Sequence, residues 1–247
     1  MNAGRKRAVV TGAARGIGQG TALRLLSEGV GVLAVDRDAG GLAAVEAAGA
    51  ETLAVDLATE AGVDAVASSA AGFDHLVNCH GIIRLRPLLE TSRQDWQDLF
   101  SVNAESIFFL CQQLGPALRA GGAIVNLSSV SAKLTSTPET AIYATTKTAI
   151  LAITRAFAYA LASHGIRVNA VCPGIIDTPM QDAVLEEVAA LRGTTVQALS
   201  DARTATVPMR RGATPEECAG AIWFLLSDDS SYVTGEALNV SGGLAMW

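Results

Sequence analysis

The apolar run Ala8-Val9-Val10-Thr11 leads without a spacer into Gly12-Ala13-Ala14-Arg15-Gly16-Ile17-Gly18, and a helical pattern through Leu23, Leu25 and Leu26 begins at once. Three glycines at a strand-to-helix junction restrict the fold more than any other feature of this chain. The first allows a tight turn out of the strand. The later two let backbone approach a pyrophosphate and let the helix lie close to the strand, while the helix amino end presents free N–H groups to phosphate oxygens. A strand feeding a helix in this way requires parallel neighbours. The sequence offers them at Val30–Val35, Glu51–Val55, His75–Val77, Ala123–Leu127, Arg167–Val171 and Ala237–Val240, each separated from the next by a helical stretch. Near-continuous apolar strands are expected where helices cover both faces of a parallel sheet. The expected fold is therefore α/β: a Rossmann-like, doubly wound sheet of about seven strands. In such sheets ligands bind beyond the carboxyl ends of the strands, which here carry Gly12, Asp36, Asp56, Asn78, Ser129 and Pro173.

Composition narrows the class further. With 247 residues, half of them hydrophobic and only 17% charged, the chain has ample material for one core, and no Pro- or Ser-rich linker divides it. We expect a single domain over 1–247. Between 178 and 211 the regular alternation lapses, which predicts either a lid over the ligand edge or helices that merely pack. The net charge of −6 disfavours nucleic acid as a partner. No apolar run approaches a membrane span, and the apolar stretch after Arg5-Lys6-Arg7 is too short for a secretion signal. Four scattered cysteines suggest neither a disulfide framework nor a metal site. Together these features predict a cytoplasmic protein.

Asp36 closes the second strand about 20 residues after the glycine loop, where a carboxylate accepts hydrogen bonds from a ribose 2′-hydroxyl and repels a 2′-phosphate. It favours NAD as cofactor, although Arg15 and Arg37 are placed to pair with that phosphate. Asp56, followed by Leu57, either meets the adenine or shapes a helix start. Tyr143 and Lys147 fall one turn apart on one helix face. An ammonium that close lowers a phenol's pKa and readies it for proton exchange. Ser128 and Ser129 deliver hydroxyls to the same edge from the fifth strand.

The series from Thr11 through the glycine loop, Ser129, Tyr143 and Lys147 to Pro173-Gly174, Thr178 and Met180 resembles the short-chain dehydrogenase/reductase family along the whole chain. The resemblance extends to Asn78–Gly81, Asn103 and Thr234–Gly243. It implies that Tyr143 is the acid/base, that Lys147 lowers its pKa and binds ribose hydroxyls, that Ser129 holds the reacting oxygen, and that Asn103 helps hold a relay water. It also implies that Gly12, Arg15, Gly16, Ile17, Gly18, Asp36, Asp56, Leu57, Asn78, Gly81, Pro173, Ile176 and Thr178 contact the cofactor. The sequence departs from the family pattern at Cys79-His80, Ala132 and Ser241. His80 is either a hydrogen-bonded core residue or a substrate contact.

For the substrate, Arg84 and Arg86 either clamp a carboxylate or stay solvated; Ser131 and Met180 are further candidate contacts. The clamp suggests a small hydroxy acid, such as a 2-keto-3-deoxy sugar acid, or else a polyol. An NADPH-dependent 3-ketoacyl-thioester reductase and a non-catalytic nucleotide sensor are the alternatives. The apolar end Leu244-Ala245-Met246-Trp247 is expected at a subunit interface of a homotetramer, or packed within its own subunit.

Overall fold

A computed structural model describes residues 5–70, 72–134 and 137–247. Seven parallel strands among them form one sheet: β1 Arg7–Thr11, β2 Gly31–Asp36, β3 Glu51–Ala54, β4 His75–Asn78, β5 Ala123–Leu127, β6 Arg167–Pro173 and β7 Ala237–Val240. Their spatial order is β3-β2-β1-β4-β5-β6-β7. The order reverses between β1 and β4, and a crevice at the carboxyl ends of these two strands is where a doubly wound sheet receives its ligand. The expected strands agree with the observed ones to within two residues at either end.

Alternation along each strand sorts the apolar side chains into two cores. Ala8, Val10, Val32, Ala34, Val77 and Val125 face one layer, built by helices α1 Gly16–Ser27 and α9 Pro215–Leu226. Val9, Leu33, Val35, Leu76 and Ile124 face the other, formed by α3 Glu60–Ser69, α5 Ser106–Leu114 and α6 Ala141–Leu161. Completely buried residues such as Ile124, Leu110 and Ile222 anchor these layers, each contributing about 2 kcal/mol of transfer free energy. The remaining helices are α2 Ala43–Ala47, α4 Arg93–Phe100, α7 Pro179–Arg192 and α8 Val196–Ala205. No helix among the described residues is long and apolar enough to cross a membrane.

Two glycines fix the approach of α1 to the sheet. Gly12 has φ +67°, and a Cβ there would lie 2.7 Å from the His80 backbone. A Cβ on Gly18 would lie 2.0 Å from the Gly12 carbonyl oxygen. Any side chain at either position forces the loop away from the sheet.

The irregular stretch at 178–211 is a helical hairpin. Thr178 caps α7 by accepting the Gln181 N–H, Gly193 ends that helix in the left-handed region, and Thr195 caps α8. The hairpin buries little: Leu185 and Ala189 from α7, and no residue of α8.

Candidate active site

A cleft of about 590 Å³ runs along the carboxyl ends of the strands, bounded by the glycine loop, the end of β5, the start of α6 and the α7–α8 hairpin. At one end, Arg15 precedes α1 in extended conformation, no side chain caps the helix, and no acidic residue occupies its first turn. The donor groups of that turn are thus claimed by no side chain. Gly12, Arg15, Gly16, Ile17 and Gly18 all line the cleft. Uncapped N–H groups, a positive dipole end and glycine backbone fit a pyrophosphate.

Asp36 is held in place from both oxygens, Oδ2 accepting the Ala14 N–H at 3.1 Å and Oδ1 the Asp38 N–H at 3.0 Å. Its carboxylate faces the cleft, and so do Arg37 and Arg15. Asp56 builds the turn into α3: its Oδ1 accepts the Ala58 N–H at 2.9 Å, and its carbonyl accepts the Thr59 hydroxyl at 2.8 Å. Both Asp56 and the buried Leu57 line the cleft. Thr178 lies against the glycine loop, its Cγ2 3.3 Å from where a Gly16 Cβ would stand. Ile176 makes a bridge to Ala213, and Pro173 ends β6; both reach the cleft beside Thr178.

Ser129, Tyr143 and Lys147 come together on one wall. Ser128 and Ser129 divide the roles the sequence left open. The Ser128 hydroxyl donates to the Lys147 carbonyl at 2.8 Å and fastens β5 to α6. The Ser129 hydroxyl accepts the Ser131 N–H at 3.1 Å and lies beside the Tyr143 phenol. Lys147 is buried, donates to the Leu127 carbonyl at 2.8 Å, and places Nζ 5.6 Å from the Tyr143 ring centroid.

The electrostatics correct one expectation. Burial pushes the Tyr143 phenol up to about 12, against the smaller downward influence of Ser129. Burial likewise pulls Lys147 down to about 8. Desolvation thus dominates at both groups and holds the phenol protonated.

Asn103 occupies a π-helical turn, Ser101–Glu105, inserted between α4 and α5. Such turns concentrate at functional sites because they reaim backbone groups. Its amide does not reach into the cleft. Oδ1 accepts the Ile82 N–H at 2.8 Å, while Nδ2 donates to the Ile82 carbonyl at 2.9 Å and to Thr146 at 3.1 Å. A Cβ on Gly81 would lie 3.3 Å from both Asn103 Oδ1 and Lys147 Nζ, so the two groups meet behind Gly81. Asn103 ties these segments together: both amide hydrogens are used, while Oδ1 keeps a second lone pair.

Two further expectations are corrected. Asn78 was expected at the cofactor, but it is completely buried and donates to Asn126 Oδ1 at 2.8 Å. The register pairs Asn78 with Asn126 across adjacent strands, which turns both amides into the helical layer, away from the crevice. Of the two readings of Arg84 and Arg86, a substrate clamp and solvated residues, the clamp is the one corrected. Arg84 Nη1 lies 2.5 Å from Asp98 Oδ2, and Arg86 Nε lies 3.3 Å from Asp95 Oδ1; both guanidinium groups are engaged by α4.

Ser131 and Met180 do line the cleft, as expected, and so do Gln181, Arg192, Arg203 and Glu139, which the sequence reading passed over. Nothing in their local sequence separates them from solvated surface residues; only the fold of the hairpin shows where they point.

A glycine loop opposite a Tyr-Lys-Ser wall, on a doubly wound sheet, defines an oxidoreductase built around a nicotinamide dinucleotide. The comparisons agree. The family model described as enoyl-(acyl carrier protein) reductase matches residues 12–245. The chain is 34% identical over 242 residues to a 2-keto-3-deoxy-L-fuconate dehydrogenase of Xanthomonas campestris pv. campestris, covering 96% of this chain and 79% of that one. It is 34% identical over 254 residues to an L-2,3-butanediol dehydrogenase of Corynebacterium glutamicum, covering 97% and 98%. Among solved structures, L-sorbose reductase from Gluconobacter frateurii, complexed with NADPH and L-sorbose, superimposes with TM-score 0.89 at 31% identity, covering 97% and 96%. The chain belongs to the short-chain dehydrogenase/reductase family, oxidoreductases that act on alcohols and ketones with a nicotinamide cofactor.

Proposed function

We propose that this chain is an NAD-dependent dehydrogenase interconverting a secondary alcohol and its ketone on a small polar hydroxy acid. The observation that carries the reading is one cleft with Ser129, Tyr143 and Lys147 on a wall and Asp36 at its far end. The residues present fit the cofactor: uncapped amides for the phosphates and a carboxylate for the ribose. Bound nicotinamide supplies the hydride acceptor for oxidation and the donor for reduction. The protein's own groups handle the proton. The Ser129 hydroxyl donates a hydrogen bond to the substrate oxygen and orients it. Tyr143 Oη takes the alcohol proton or returns it. Lys147, with one N–H on the Leu127 carbonyl, has two left for ribose hydroxyls and the phenol. A fixed cation 5.6 Å from the Tyr143 ring centroid favours the phenolate as the proton leaves, without reorganisation of water.

NAD is favoured because Asp36 is tethered by two backbone amides. A 2′-phosphate beside a carboxylate that cannot swing away meets like-charge repulsion. The hydroxy-acid class draws support from the fuconate dehydrogenase relative, whose named substrate is an acid.

Tyr143→Phe is expected to lower kcat by about 10² to 10⁴-fold, the usual worth of a positioned acid/base, and to leave the NAD dissociation constant within about threefold. Substantial residual turnover removes Tyr143 from the mechanism. KM for NADP equal to or below that for NAD removes the cofactor assignment.

A further inference from the structure

A hydroxy-acid substrate brings a carboxylate into the cleft, and the two arginines nearest in sequence to the fourth strand are already paired with α4. The lid holds another cation. Arg203 of α8 lines the cleft together with Ser129 and Tyr143 and is only partly exposed. Its one side-chain partner among the described residues is neutral: with the Gln181 amide turned so that its oxygen faces the guanidinium, that oxygen accepts from Nη1 and from Nη2, the latter at 3.2 Å. The other arginines that line the cleft, Arg15, Arg37 and Arg192, are exposed; Arg203 alone of the four is withdrawn from water. No carboxylate lies within 4 Å of the Arg203 guanidinium among the described residues.

The surroundings sharpen the contrast. Met180, Val184, Val188 and Leu199 supply an apolar wall on the lid side. Burial alone holds Arg203 below its usual range, with no nearby charge in compensation. A guanidinium withdrawn from water and given no counter-ion gains from an anionic ligand what a solvated one would not. Its planar fork matches a carboxylate through two parallel hydrogen bonds. At the other wall Glu139, one helical turn before Tyr143, also lines the cleft, and its Oε2 is buried without a partner among the described residues. A substrate carboxylate is repelled from that wall, which leaves the lid side for it.

We propose that Arg203 binds the carboxylate of the substrate, with Gln181 holding the guanidinium in place, so that the lid helix α8 selects hydroxy acids over neutral alcohols. This rests on the hydroxy-acid reading above and assigns the site for it. Because the site is on α8, an acid closes the hairpin over the reacting carbon where a neutral alcohol does not.

The test compares an acid and a neutral diol, 2-keto-3-deoxy-L-fuconate and 2,3-butanediol, each with saturating NAD. Arg203→Gln is expected to lower the acid-to-diol ratio of kcat/KM by about tenfold or more, mainly through KM for the acid. Arg203→Lys, which keeps the charge and loses the fork, is expected to recover part of it. Equal losses on both substrates mark a structural role and overturn the proposal. A second readout is calorimetric binding of the acid to NAD-saturated Tyr143→Phe enzyme, with and without Arg203→Gln. Affinity that falls by about tenfold supports the site even where turnover is absent; unchanged affinity overturns it. Wild-type enzyme that oxidises the diol but neither binds nor oxidises the acid overturns the carboxylate site and the substrate class while the dehydrogenase reading stands. Acid bound through Arg203 but never oxidised supports the site and overturns the catalytic reading.

Discussion

His80 shows how one side chain can join the two halves of a cofactor cleft. Its Nδ1 lies 2.6 Å from the Thr11 hydroxyl and its Nε2 2.7 Å from the Ser106 hydroxyl. Ser106 donates its proton to the Val102 carbonyl at 2.7 Å, so it accepts from Nε2–H; with burial holding the ring neutral, Nδ1 accepts from Thr11, whose other acceptor, the Val77 carbonyl, is farther at 3.3 Å. The ring is neutral and links the end of β1 to the π-helical turn that carries Asn103. Of the two readings the sequence allowed, the core residue is the closer, with hydroxyls in place of backbone as partners, although the ring still borders the cleft. Burial pulls His80 down to about 3 and His75 down to about 4. Both folded values lie below the ordinary 6.5, so between pH 6.5 and 4 the unfolded chain takes up protons that the native state refuses. Stability is fully present above pH 6.5 and is lost as pH falls through this window, on the order of 1 kcal/mol per histidine per pH unit. Urea unfolding at pH 7 and at pH 4.5 should show a clearly lower midpoint in acid, and His80→Gln should shrink the difference by about half. A midpoint independent of pH contradicts the neutral ring.

At the scale of elements, the strands were legible because parallel strands buried on both faces must be apolar runs, and their ends must carry the loop chemistry. That Tyr143 and Lys147 share one face of α6 was legible for the same reason: they are local neighbours at helical spacing. Asn78 was misread because the side of the sheet to which a strand-end residue points depends on register with a partner far away in sequence. The pairing of Arg84 was not legible because its acids arrive from α4, an association no local pattern encodes. The π-helical turn has no sequence signature at all. The hairpin 178–211 was legible only as a break in rhythm, yet its poor burial has a consequence. Helices that bury so few residues open locally at low cost, as ligand-gating elements must. Amide exchange in α7 and α8 of the ligand-free protein should be at least about tenfold faster than in α1 and α6, and should slow when NAD and an acidic substrate are added together. Exchange in the hairpin as slow as in α6, or unmoved by ligands, counts against a lid.

For the whole molecule, the question is where its exposed apolar surface goes. Phe224 of α9, Leu238 of the edge strand β7 and Met246 line one surface hollow, and Trp247 follows at the surface, with Met246 73% and Trp247 72% exposed. Phe108 and Phe109 of α5 form a second apolar group, 38% and 40% exposed, and Trp96 stacks on Phe100 of α4 with centroids 4.3 Å apart. Of the two readings of the tail, packing within its own subunit is the one its backbone supports. Its backbone is fastened within its own subunit, the Trp247 carbonyl accepting from Lys133 Nζ at 3.1 Å and from Asn239 Nδ2 at 3.0 Å. Its last two side chains nevertheless face outward. A tetramer of dihedral symmetry needs two distinct self-complementary patches, and we propose these two apolar groups for them. If both are used, disabling either one leaves dimers. The double replacement Met246→Ser with Trp247→Ser, and separately Phe109→Ser, should each halve the mass seen by light scattering. Deleting 244–247 outright would confuse the result, because Leu244 lines the cleft and its loss alters the substrate pocket as well. An unchanged mass in either variant removes that patch from the assembly, and a wild-type monomer removes both.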